Sequence, residues 1–202
     1  MKISNEDRMM RIVRRNGRGW VFSAKDFSHI APRQTIDMAL HRLAVDGRIR
    51  RIGRGMYDFP EHSRLLNMEL GPRSDRVAAA IARKFGWRIQ VTGPVALNLI
   101  GLSNQVPGRA VFLSSGPNRS YSFGSLTIEF VHRLLKETDF QHDETAVVVA
   151  AIRSLGQDGI TPAAKAKIRD WLNPALRRRL VRDSAWVSGW IQNTVLDICR
   201  QD

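Results

Sequence analysis

The stretch that most restricts how this chain can fold is PRQTIDMALHRLAVDGRIRRIGRGMYDF, Pro32 to Phe59. Ile36, Ala39, Leu40 and Leu43 recur at i, i+3, i+4 and i+7, the period of a helix with one buried face. Pro32 suits the first turn of such a helix, where a missing N–H costs nothing. Gly47 stops it. Arg48–Ile52 and Met56–Phe59 then read as two strands of a hairpin, with glycines in the turn.

Upstream, Met9, Ile12 and Val13 keep helical spacing within Asn5–Asn16, and Gly17 is a stop. Gly17–Phe22 is a turn or a brief strand. Ser23 with Asp26 three residues on is an N-cap signal for a helix of one to two turns, ending near Ile30. Three helices followed by a basic hairpin is the plan of a winged helix-turn-helix. Many small domains share that element count, so the placement of polar groups has to decide. With Ile36, Leu40 and Leu43 inward, Arg33, Gln34, Thr35, Asp37, Met38, His41 and Arg42 occupy the remaining surface of the third helix. Arg33, Gln34 and Thr35 lie at its N-terminal end, where a recognition helix meets base edges. Arginine geometry suits guanine and glutamine geometry suits adenine. Arg48, Arg50, Arg51 and Arg54 on the hairpin suit phosphates or a minor groove. Strand alternation sets Arg48 and Arg50 on one face and Ile49 on the other. The candidate DNA-contacting residues are therefore Arg33, Gln34, Thr35, Asp37, His41, Arg42, Arg48, Arg50, Arg51 and Arg54. The competing account is a solvated basic face.

Charge is compatible with an anionic partner. The 202 residues include 32 Lys and Arg against 19 Asp and Glu, with a pI near 11.2. Such an excess speaks of partners rather than of fold. It divides evenly about the end of the hairpin segment: residues 1–63 carry a net +6 and residues 64–202 a net +7. The chain is 43% hydrophobic, enough for a core. No apolar run approaches the roughly 18 residues of a membrane span. The N-terminus lacks the apolar stretch of a signal peptide, and a single cysteine, Cys199, fits a reducing compartment. A cytoplasmic location without membrane contact is expected.

His62–Gly71 reads as a connector whose Leu65, Leu66, Met68 and Leu70 are apolar enough to pack against one domain. Residues 64–202 form the expected second domain. Ser74–Gly86 is helical, with Val77, Ile81 and Phe85 in a stripe. Arg88–Gly93, Arg109–Ser115, Ser120–Phe123 and Leu126–Val131 read as strands, and Pro94–Leu102 as a short buried helix. From Glu144 onward the pattern is helical: Thr145–Leu155, Thr161–Leu172, a helix opened by Pro174, and Ala185–Arg200. The fold class is α+β: a winged helix-turn-helix, then a domain with a small, mostly antiparallel sheet and a C-terminal helical bundle.

The winged-helix start, VTGPVALNLIGLSNQVP (Val91–Pro107) and RAVFLSSGPNRSYSFGSLTIEFVHR (Arg109–Arg133) together resemble the AbiEi-type antitoxins of bacterial type IV toxin–antitoxin systems, and most of all a group of unknown function in that superfamily. The likeness covers nearly the whole chain in element order. It implies an N-terminal domain that binds operator repeats on double-stranded DNA and represses its own operon. It also implies a C-terminal domain that counteracts a nucleotidyltransferase-like toxin, in systems where the two proteins need not form a stable complex. Arg33, Gln34, Thr35, Arg42, Arg50, Arg51 and Arg54 are the positions onto which DNA contact carries over. No residue of the antitoxin half is assigned by the likeness.

No catalytic constellation is legible. The five histidines show no metal-ligand spacing; His132 and His142, with Asp139, Asp143 and Glu144 nearby, read as a solvated loop. There is no G-x-S-x-G and no P-loop. SSGPNRS (Ser114–Ser120) offers small polar groups for an anion nest, but a hairpin turn explains it better. Glu129 is a lone acid in an apolar strand, too little for a metal-dependent nuclease. Arg178, Arg179 and Arg182 share one side of a helix, a surface for an acidic partner, for RNA, or for solvent alone. Trp186 and Trp190, four apart, and Trp171 read chiefly as core. No cofactor and no metal are expected, and the chain is expected to be a monomer in solution that binds DNA in several copies. The alternatives are a one-component regulator with a ligand-binding C-terminal domain and, behind it, an enzyme acting on nucleic acid.

Overall fold

The computed structural model describes residues 3–104, 108–133 and 143–200. Among them are eight α-helices and three small sheets, a mixed α+β architecture. Two units emerge, residues 1–88 with 121–128, and residues 89–120 with 129–202.

The first unit opens with α1 (Asn5–Asn16), capped by Ser4, whose hydroxyl accepts the Asp7 N–H at 3.0 Å. Glu6 and Asp7 lie in its first turn and Arg14 and Arg15 in its last, the charge order that a helix dipole favours. The expected Ser23–Asp26 capping box forms: the Asp26 carboxylate accepts the Ser23 N–H at 2.8 Å. What it caps is shorter than expected, a 3-10 helix over Ala24–Phe27. Pro32, five residues on, pushes its predecessor out of helical conformation and leaves no room for a second turn. Pro32 itself is extended and sits just before α2 (Arg33–Val45), not within its first turn.

Ile36, Ala39, Leu40 and Leu43 of α2 are all buried, as their spacing requires. They pack with Met9, Met10 and Val13 of α1 and with Phe22, Phe27, Ile49 and Tyr57. Gly47 follows α2 at φ 68°, a conformation that glycine adopts without the strain of a Cβ. β1 (Val21–Phe22), β3 (Met56–Asp58) and β2 (Arg50–Gly53) then form an antiparallel sheet in that order, with Arg50 directly opposite Asp58.

The segment expected to connect two domains is instead a second hairpin, β4 (His62–Ser63) with β5 (Met68–Glu69). Its apolar residues do not pack: Leu65 is 93% exposed, Leu66 60% and Met68 55%. The ladder of main-chain bonds, with Asn67 at φ 46° in the turn, fixes this segment where side-chain burial does not. The helix α3 (Ser74–Phe85) also belongs to the first unit, which moves the expected boundary from 63/64 to 88/89. Arg83 makes the join. It donates to Asp26 at 2.8 Å and to the Val21 carbonyl at 2.7 Å, and its guanidinium lies 5.9 Å from the Trp20 ring. Val77 and Ile81 are buried as expected. Phe85 is not: it is exposed and stacks on Trp87.

The second unit contains β6 (Ile89–Val91), α4 (Gly93–Ile100) and β7 (Arg109–Ser114). β7 is followed by β8 (Arg119–Phe123) and β9 (Leu126–His132), of which residues 121–128 are counted with the first unit, and the sheet order is β6-β7-β9-β8, with β6 and β7 antiparallel. α5 (Asp143–Leu155), α6 (Pro162–Trp171), α7 (Pro174–Asp183) and α8 (Gly189–Cys199) complete it. Val148, Ile152, Ile168, Leu180, Ile191 and Val195 form the centre of a helical core. The last helix starts four residues later than expected, because Ser188 is extended at ψ 141°. Trp186 and Trp190 therefore do not share a helix. Trp171 and Trp190 pack against the core, whereas Trp186 is largely exposed.

Candidate nucleic-acid interface

Once Ile36, Leu40 and Leu43 are turned inward, 100° per residue sets Gln34, Met38, His41 and Val45 along the outermost line of α2. Met38 is 54% exposed and Val45 71%, and Gln34 and His41 are exposed between them. Arg33 and Asp37 lie on one flank of that line; Thr35, half-buried, and Arg42 lie on the other. α2 starts without a side-chain cap, so its first-turn N–H groups are open to a partner.

The two flanks have different electrostatics. Arg33 pairs with Asp37 at 2.7 Å, an exposed bridge one helical turn long. Arg42 reaches Glu6 of α1 at 3.3 Å, and Arg48 approaches Asp7 at 3.8 Å. These pairs are solvated and weak enough to be exchanged for phosphate.

Arg50 differs from the other candidates. It donates to both carboxylate oxygens of Asp58, at 3.0 and 2.6 Å, to the Leu70 carbonyl at 2.8 Å and to Glu69 at 3.4 Å. Asp58 is 1% exposed. Burial pushes its carboxyl above the ordinary value, and the two bonds from Arg50 oppose that rise. Arg50 thus joins the first hairpin to the base of the second, with Nε and Nη2 donating to Asp58 and the Leu70 carbonyl and Nη1 reaching Glu69. Assigned to DNA from sequence, its guanidinium is placed against Asp58, eight residues away and directly across the ladder. Arg51 and Arg54 are exposed and make no ion pair among the described residues. Gly55, at φ 67°, completes the turn that carries Arg54.

Two residues on or beside this surface were not among the candidates. Met38 was placed on the surface of its helix but given no role; its position on the outermost line follows from the helical period. Lys84, at the end of α3, comes close to the hairpin turn: a Cβ at Gly55 would lie 3.6 Å from Lys84 Nζ. Only the folded chain brings residue 84 beside residue 55.

The unit boundary also redistributes charge. Residues 1–88 hold 19 Lys and Arg against nine Asp and Glu, and residues 121–128 hold neither; the rest of the chain holds 13 against ten. The even split about residue 63 becomes a strong concentration in the first unit.

In the second unit, Arg178, Arg179 and Arg182 are exposed on α7 and without an ion pair among the described residues. Arg178 and Arg182 line a groove of about 570 Å³ with Pro174, Val181 and Cys199. Burial raises the Cys199 thiol above its ordinary value, which leaves it a poor nucleophile. Arg177 is occupied, donating to the Arg169 and Leu172 carbonyls at the end of α6. A second cavity, about 390 Å³, lies between the start of α4 and α5 and is lined by Val91, Thr92, Pro94, Val149, Arg153 and Ser154 among others. Glu129 forms an ion pair with Arg109. In the SSGPNRS segment, which links β7 to β8, Ser114 Oγ accepts the Gly116 N–H, and Asn118 accepts the N–H of His132 in β9. It is a turn. His142 and Asp139 lie outside the described residues, as do residues 105–107 of the Val91–Pro107 motif. Among the described residues no group of three metal-ligating side chains converges, and no helix is long and apolar enough to cross a membrane.

No curated protein matches the sequence. Among solved structures, the chain is similar to the crystal structure of the RV2827C protein from Mycobacterium tuberculosis, at 14% identity and a TM-score of 0.41, covering 99% of this chain and 79% of that one. A family model matches residues 8–180, most of the chain, and on that ground the protein belongs to the family of unknown function DUF6088.

Proposed function

We propose that the first unit is a winged helix-turn-helix that binds duplex DNA, with α2 as its recognition helix and the β2–β3 hairpin as its wing. The observation that carries this reading is the outer line of α2, Gln34–Met38–His41, exposed beside Arg33 and accompanied by the unpaired Arg51 and Arg54 of the hairpin. Gln34 offers the bidentate geometry that adenine accepts, and Met38 an apolar contact for a thymine methyl. Arg51 and Arg54 neutralise phosphates. Purified protein on the duplex upstream of its own reading frame, in a salt-titrated gel shift, tests this directly.

The wider role we infer is that of an AbiEi-like antitoxin that represses its own operon. The resemblance of the Val91–Pro107 and Arg109–Arg133 motifs supports it, and the free arginines of α7 give the second unit a surface for an acidic partner or for RNA. Co-expression with the adjacent downstream reading frame tests this part: protection of the host supports it, and continued toxicity contradicts it. The roughly 390 Å³ cavity beside α4 favours a second reading, a regulator whose second unit binds a small ligand. A ligand-dependent change in operator affinity, without any toxic neighbour, is the outcome that selects it.

A further inference from the structure

The hairpin turn that carries Arg54 and the end of α3 that carries Lys84 meet at one end of the proposed DNA surface, and Arg33 at the start of α2 lies near enough to repel the Lys84 ammonium. Arg33 opens α2, Arg54 sits in the turn of the β2–β3 hairpin, and Lys84 closes α3. Lys84 Nζ is placed beside the hairpin turn, 3.6 Å from where a Cβ on Gly55 would stand, and 5.5 Å from the Phe85 ring centre. Lys84 is half-buried, and its ammonium has no ion pair among the described residues. The lysine pKa lies below its ordinary value, first because burial strips water from the ammonium, and then because Arg33 and Arg54 repel it; Asp37 alone acts in the opposite sense. Asp37 is already engaged with Arg33. Positive charge from the hairpin turn and from α3, with Arg33 near enough to add to it, carries a repulsion that an anion would relieve.

We propose that Arg33, Arg54 and Lys84 together form a site for adjacent backbone phosphates of one strand of duplex DNA, with α3 serving as a third DNA-contacting element beside the recognition helix and the wing. This rests on the DNA-binding reading above and adds to it a residue and an element which that reading does not use. The contact is to phosphate, so it carries no sequence preference. Its purpose is register: a strand held at once by the helix start, the hairpin turn and α3 fixes how deeply α2 enters the groove.

The test uses the full chain with charge-removing variants Lys84→Met and Lys84→Gln, the charge-keeping Lys84→Arg, and Arg51→Ala and Gln34→Ala for comparison. Affinity is measured on the upstream duplex and on an unrelated duplex of equal length, across a salt series. The expected result is that both neutral variants flatten the dependence of log affinity on log salt by about one unit. They weaken both duplexes by the same factor, and Lys84→Arg restores the slope. Gln34→Ala weakens only the upstream duplex. If the unmodified protein binds with a steep salt dependence, Arg51→Ala weakens it, and the Lys84 variants bind undiminished, the third contact is refuted while DNA binding stands. If the unmodified protein shows no salt-dependent affinity for either duplex, the DNA-binding reading fails and takes this inference with it.

Discussion

Arg50 and Arg51 are neighbours in sequence with different surroundings. Arg50 neutralises a carboxylate that is almost wholly out of water, whereas Arg51 faces solvent unpaired. Removing one partner of a buried pair costs about 3–5 kcal/mol, because the other charge is stranded. Arg50→Ala should therefore lower the melting temperature by roughly 10 °C or more, and Arg51→Ala should leave it unchanged while weakening DNA binding. Thermal melts read beside gel shifts separate the two. The pH dependence has a definite sign. Burial holds the folded Asp58 carboxyl above its unfolded value, so the folded state keeps the proton more firmly. Stability from this group is complete below the unfolded value and is lost as pH rises through the folded one. The deficit of Arg50→Ala should consequently shrink as the solution is acidified towards the carboxylate range. Asp37 is the reverse case, an acid on the face proposed to meet DNA. Asp37→Asn should tighten DNA binding by releasing Arg33 and removing a like charge from the phosphates, and it should change stability by no more than about 0.5 kcal/mol, the worth of an exposed helical pair; isotherms and melts on the same samples decide.

Elements were legible where local pattern and tertiary packing agree. The stripe Ile36, Ala39, Leu40, Leu43 is buried in full, and the Ser23–Asp26 capping box forms as its spacing requires. Legibility failed where a distant partner decides. Nothing local distinguishes Arg50 from Arg51; the cross-strand register with Asp58 does. The β4–β5 hairpin was hidden by its own composition, since Leu65, Leu66 and Met68 argue for burial and the ladder holds them in water. Trp186 and Trp190 have helical spacing, yet an extended Ser188 separates them. Lys84 is invisible as a site residue until α3 packs back on the first unit. At this scale α7 carries its own prediction. Reversing charge at Arg178 and Arg182 should abolish neutralisation of the downstream gene product and leave operator affinity intact, both residues being solvent-exposed on a helix outside the unit proposed to bind DNA. Survival of neutralisation would assign the arginines to solvent alone.

For the whole molecule, the position of the boundary between the units changes what the charge means. Divided after residue 63, the excess is even and points nowhere. Divided after residue 88, it concentrates in the unit that carries α2 and the hairpin, with 19 basic against nine acidic residues. A field of that sign and place raises the encounter rate with a polyanion and makes the complex sensitive to salt. Four cations are predicted to meet phosphates: Arg33, Arg51, Arg54 and Lys84. The most direct measurement is therefore the affinity of the full chain for the duplex upstream of its reading frame as salt is raised. The account predicts log affinity falling against log salt with a slope of about −3 to −4, shallower by about one unit in Arg51→Ala. A slope near zero, or an Arg51→Ala protein that binds with unchanged affinity and slope, would contradict it.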